Sequence, residues 1–132
     1  MKVLFLQENG FYESIGIMSI SAVLKAHGHE CDLLIASEEK NLMQKIKDYN
    51  PDIVAFSLMT VIHEWALNFA KKLKKEMNVL TVFGGPHCTI FPETIEEPVV
   101  DILCIGEGEY AMLDLVNNLR DGKDITKIDN QI

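Results

Sequence analysis

The chain has 132 residues, a formal net charge of −8, and a composition that is 48% hydrophobic and 24% charged. That balance excludes a disordered segment, and the length suits one domain with a sizeable core. The acidic excess disfavours nucleic acid and anionic membrane as main partners.

Residues 3–6 form a short apolar run and read as the first strand. The run is too short for a signal peptide, and no stretch of about 18 apolar residues follows, so a cytoplasmic location is expected. Residues 7–13 are the exit loop. Ser14 is placed to cap a helix that Gly28 stops. Ile15, Met18, Ala22, Val23 and Ala26 make one face of that helix, the one expected to pack on a sheet. Ile17, Ile20 and Leu24 make the other. A helix apolar nearly all round needs a second cover: a large ligand, another domain or a second subunit.

Residues 31–35 read as a second strand, polar at its start and therefore an edge. Residues 38–49 read as a helix that Asn50-Pro51 breaks. Residues 53–56 are a fully apolar central strand. Thr60 is expected to cap the next helix, with Glu64 in its first turn. Trp65, Ala66, Phe69, Ala70 and Leu73 form its buried face, and Lys71, Lys72, Lys74 and Lys75 its solvated one. The fourth strand begins at Val79 and stops at Gly84-Gly85-Pro86-His87. Paired glycines there bare the backbone at the ligand edge of a sheet, and Pro86 stiffens the exit. Residues 88–98 are irregular, with one helical turn near Pro92. Residues 101–105 form a fifth strand that ends in Gly106-Glu107-Gly108-Glu109, and a last helix runs to Leu119. Residues 121–132 are polar and show no periodicity.

Five strand–helix repeats predict an α/β fold: a doubly wound, flavodoxin-like (Rossmann-type) parallel sheet of order 2-1-3-4-5 with helices on both faces. Ligands bind such sheets at the carboxyl ends of the strands. Three of the four exit loops there carry glycine, so the implied ligand is wide. The familiar chemistries do not fit these loops. There is no G-x-G-x-x-G after the first strand, no Gly-Lys-Ser/Thr, no aspartate ending the third strand, no Ser/Thr-rich phosphate loop and no G-x-S-x-G. Cys31, Cys88 and Cys104 are too widely spaced for a zinc or iron–sulfur site and suit a reducing compartment. His87 and Cys88 are adjacent and make a poor chelate. Glu107 and Glu109 could form an acid–base pair, but they sit more simply as partners of a helix N-terminus.

The loop set resembles the cobalamin-binding (B12) domain, in the version found at the N-terminus of cobalamin-dependent radical S-adenosylmethionine enzymes. Phe11-Tyr12-Glu13-Ser14-Ile15-Gly16 occupies the slot of the family's D-x-H-x-x-G, Ser57-Leu58-Met59 the serine motif, and Gly84-Gly85 the glycine pair. Gly84-Gly85-Pro86-His87 and Gly106-Glu107-Gly108-Glu109 are the stretches most like the radical-enzyme subgroup. Glu13 stands where the wider family places the histidine beneath cobalt, and Phe11 where it places the supporting aspartate. The resemblance therefore implies base-off cobalamin without a protein histidine ligand. It implies a cofactor site of Tyr12, Glu13, Gly16, Ser57, Leu58, Met59, Gly84, Gly85, Pro86, His87, Gly106, Glu107 and Gly108, with no residue acting as catalyst or metal ligand.

Residues 1–120 would be the cobalamin-binding domain, and 121–132 a polar tail or the start of a linker to a catalytic domain. The chain has no C-x-x-x-C-x-x-C. S-adenosylmethionine and a [4Fe-4S] cluster are thus expected on a radical S-adenosylmethionine catalytic domain outside this chain, which would bind cobalamin without turning substrate over. Two other readings stay open: a stand-alone α/β enzyme using His63, His87 and the two glutamates, and an interaction domain without ligand. A homodimer through the first helix would also cover its second side.

Overall fold

A computed structural model describes residues 1–132. Ten principal elements alternate along the chain. They are β1 (Lys2–Gln7), α1 (Ile15–Ala26), β2 (Glu30–Ile35), α2 (Leu42–Tyr49), β3 (Ile53–Ser57), α3 (His63–Glu76), β4 (Leu80–Gly84), α4 (Pro86–Ile90), β5 (Ile102–Leu103) and α5 (Glu109–Asp121). The strands pair in parallel in the order β2-β1-β3-β4-β5, as the repeat pattern and the weak second strand predict.

The sheet buries both faces. Leu4, Leu6, Val54, Phe56, Phe83 and Leu103 pack against α2 and α3 through Ile46, Ala66, Ala70 and Leu73. Phe56 lies over Phe83 with ring centroids 4.6 Å apart, and the edge of Trp65 meets it at 6.3 Å. On the opposite face Val3, Phe5, Ile53, Ala55, Val82 and Ile102 meet α1 and α5. Strand residues therefore alternate between two cores, which is why β1, β3 and β4 read as continuous apolar runs.

Four expectations need correction. The face of α1 is reversed: Ile17 and Leu24 are buried, whereas Ile15 and Met18 are 76% and 59% exposed. Apolar residues lie all round this helix, so periodicity could not choose its inner side. The helix expected over 38–49 starts only at Leu42, after a separate single turn at Ala36–Glu38. Thr60 does not cap α3. It opens a 3-10 turn, Thr60–Ile62, and its hydroxyl lies 3.0 Å from Nδ1 of His87. The segment after Pro86 is more regular than expected, forming α4 and a 3-10 turn, Pro92–Glu96.

The polar tail is also ordered against the sheet. The amide of Leu103 donates to the Ile132 carbonyl (3.0 Å), that of Ile132 to the Leu103 carbonyl (2.9 Å), and that of Ile105 to the Asn130 carbonyl (2.8 Å). Ile128 anchors the segment in the α1/α5 core. β5 is the sheet edge and has free backbone groups to satisfy, a demand that side-chain pattern does not record. No helix is long and apolar enough to cross a membrane.

Candidate functional site

The carboxyl ends of β1, β3, β4 and β5 share one edge, and their exit loops are held there by specific contacts. Gln7 is buried, and its amide nitrogen donates to the carbonyls of Asn9 (2.6 Å) and Tyr12 (3.0 Å), which folds the loop after β1 back on itself. The Ser14 hydroxyl accepts from the Ile17 amide and caps α1. The loop after β3 is stitched to β4 by backbone: Leu58 N–H donates to the Gly84 carbonyl at 2.7 Å, and His87 N–H to the Leu58 carbonyl at 3.0 Å.

Gly85 has φ +93° and ψ −178°, a region open essentially to glycine alone. A Cβ there would stand 2.7 Å from the Leu58 nitrogen and 2.9 Å from its carbonyl oxygen and from Ser57 Oγ. The second glycine of the pair is thus required by the protein's own packing of two loops. Gly84 differs: its φ is not positive, and a Cβ would meet Cys104 Cβ at 3.4 Å.

These loops open into a cavity of about 620 Å³ that runs down between α1 and α5 onto the sheet. Its floor includes Phe5, Ala55 and Val82, register partners on three adjacent strands. Ala55 is the small residue of that row. Ile17 and Ile20 of α1 line one wall, and Met112 of α5 with Cys104 the other. Burial raises the Cys104 thiol to about 11, so it stays protonated at neutral pH. At the mouth stand Tyr12, Glu13, Gly16, Ser57, Met59, Gly84, Gly85, Pro86, Gly106, Glu107 and Gly108. Burial, followed by the nearby Glu8 carboxylate, raises the Tyr12 phenol, which remains a neutral donor. The Ser19 hydroxyl and the amides at the start of α5 hold the Glu109 carboxyl below its usual range.

Two expected site residues do not bring their side chains into the cavity. Leu58 is 1% exposed and belongs to the α2/α3 core, so it serves the site through its backbone. His87 is buried between His63, with centroids 4.5 Å apart, and Phe91, at 4.9 Å. The two histidines therefore do not join Glu107 and Glu109, as a stand-alone enzyme at this edge would require. No histidine lines the cavity.

The floor and the α5 wall escaped sequence reasoning, whereas Ile17 and Ile20 lie on the side of the first helix for which a large ligand is one expected cover. Alanine within the Ile-Val-Ala-Phe run of β3 was the available signal, since a small residue in a central strand leaves room above it. Its register with Phe5 and Val82 appears only in the sheet.

Residues 1–116 match the family model described as the B12 binding domain. Over 142 aligned positions the chain is 30% identical to an anaerobic magnesium-protoporphyrin IX monomethyl ester cyclase of Rubrivivax gelatinosus, covering 93% of this chain and 25% of that protein. It is 38% identical over 82 residues to the cobalamin-dependent radical SAM methyltransferase TokK of Streptomyces tokunonensis, covering 59% of this chain and 12% of the relative. An uncharacterized methyltransferase of Pyrococcus horikoshii is 40% identical over 86 residues, or 63% of this chain and 19% of its own length. The chain spans a quarter or less of each of these relatives.

Proposed function

The chain belongs to the B12-binding domain family, and from that premise we propose that it holds cobalamin base-off, with the detached nucleotide tail in the α1/α5 cavity and no protein imidazole on cobalt. The observation that carries this reading is the cavity itself. It is apolar along floor and walls, opens among the strand-end loops, and has no histidine in its lining. The residues fit such a group. A long, mostly apolar tail loses water against Phe5, Ala55, Val82, Ile20 and Met112. Ser57 offers a hydroxyl to a ring nitrogen or tail oxygen at the mouth. Gly16 has no heavy atom within 4 Å of where a Cβ would stand, so the first turn of α1 gives a flat rim. Tyr12 and Glu13 lie on the side from which the wider family supplies its lower ligand.

When bound, cobalamin supplies a cobalt centre that carries a methyl group or takes part in a radical step. This chain's residues bind and orient it and exclude water from its tail. The substrate-transforming partner would be a radical S-adenosylmethionine domain, with its S-adenosylmethionine and [4Fe-4S] cluster outside these residues. The name of the TokK relative supports that assignment. So does the apolar rim at the same edge, where Phe11, Val61, Ile90 and Tyr110 are 95%, 85%, 68% and 74% exposed.

The test is equilibrium dialysis of the purified chain against hydroxocobalamin, with the visible spectrum of the retained pigment. Saturable retention with a base-off spectrum is expected. A base-on spectrum would remove the tail from the cavity, and no retention would refute the reading as a whole.

A further inference from the structure

We propose that Thr89 is the positioning residue that ties together the two glycine corners at the cavity mouth, and that its hydroxyl slows the release of cobalamin, a role that rests on the cobalamin reading above. Thr89 lies one helical turn after Gly85, on α4, and lines the cavity. Its Oγ accepts from the Gly106 amide at 2.9 Å and donates to the Gly85 carbonyl at 3.3 Å. A hydroxyl has one proton to give and two lone pairs, so one side chain satisfies both bonds without conflict. Back-bonding to the carbonyl four residues earlier is a usual habit of threonine in a helix. What is unusual is the second bond, which leaves the helix and reaches another loop.

That bond spans a gap nothing else closes. The last backbone rung between β4 and the segment after β5 is Cys104 N–H to the Phe83 carbonyl, at 2.8 Å. Beyond it the two chains diverge into corners at Gly85 (φ +93°) and Gly106 (φ +72°). Gly85 is wedged against Leu58, whereas Gly106 is exposed and has no heavy atom within 4 Å of where a Cβ would stand. Asn130 holds the residues on either side, accepting from the Ile105 amide and donating from Nδ2 to the Glu107 carbonyl at 3.5 Å, but the Gly106 amide itself is held by Thr89, which joins this corner to α4.

In the free protein this bond competes with water, because Thr89 and Gly106 are both exposed. An occupant across the mouth removes that water and makes the same bond stronger. The hydroxyl thus contributes more to the complex than to the free fold. Its loss is read in dissociation, with little change in unfolding.

The experiment compares the chain with Thr89→Val, which keeps the shape and loses the hydroxyl, and Thr89→Ser, which keeps the hydroxyl. Release of hydroxocobalamin is followed by chase, and exchange of the Gly106 amide is followed in the cofactor-free chain. Thr89→Val should release the pigment and exchange the amide roughly three- to tenfold faster, while Thr89→Ser stays within about twofold of wild type. Unfolding midpoints should agree within a few degrees. Release unchanged in Thr89→Val, or equally fast in Thr89→Ser, would overturn the role. If the wild-type chain retains no hydroxocobalamin, the cobalamin reading has failed and the amide decides the tie. A Gly106 amide unprotected in the wild type, or indifferent to Thr89→Val, would overturn it, and protection lost in Thr89→Val would uphold it.

Discussion

Replacing Gly85 with alanine separates a glycine needed for folding from one needed for a ligand. The backbone at Gly85 (φ +93°, ψ −178°) costs a non-glycine residue on the order of 1–3 kcal/mol. The new Cβ would also stand 2.7 Å from the Leu58 nitrogen and 2.9 Å from its oxygen, both backbone atoms that cannot rotate away. Relief requires the two loops to part, at the expense of the Leu58-to-Gly84 and His87-to-Leu58 bonds. We expect a loss of about 3 kcal/mol, or roughly 10 °C in unfolding midpoint for a domain of this size. Gly84→Ala is the control, because its Cβ would approach only Cys104 Cβ, at 3.4 Å, and it should stay within about 1 kcal/mol of wild type. Urea unfolding and thermal melting of the cofactor-free proteins measure both. A Gly85→Ala chain as stable as wild type would refute the internal explanation and return the glycine to a ligand role.

Ala55→Phe places a ring on the cavity floor, and hydroxocobalamin retention should fall at least about tenfold, while overpacking at a residue only 5% exposed lowers stability by about 1–3 kcal/mol. Dialysis and melting of the same preparation check this, and undiminished retention would remove the tail from that floor. Burial, and then the neighbouring His63, pull the His87 imidazole below its ordinary value, with Glu93 opposing. The unfolded chain therefore takes up a proton that the folded one refuses as pH drops below about 6.5, so stability falls from there down to the lower folded value. Urea midpoints from pH 7.5 to 5 should decline more steeply for wild type than for His87→Gln, and parallel curves would contradict this account.

The paired glycines, the Gly106-Glu107-Gly108 turn and the weakly apolar second strand were enough to place the sheet order and the edge where the loops converge. Each is a local signal: a run of apolar residues forces a strand with two buried faces, and a glycine marks where the chain must turn. The resemblance carried by those loops reached the family by the same route.

The tertiary structure decided what depends on neighbours distant in sequence. Helix α1 could not declare its inner face, because Ile15 and Met18 are as apolar as Ile17 and Leu24. Packing against α5 and the sheet made the choice. His87 was drawn away from the cavity by a stack with His63 and Phe91, and Gly85 was required by its close approach to Leu58. The polar tail acquired its place only because β5 left an open edge. Composition and periodicity determine which residues must leave water. Register, loop-to-loop contact and the choice between two apolar faces are settled by which surfaces meet, and that information exists only once the strands lie side by side.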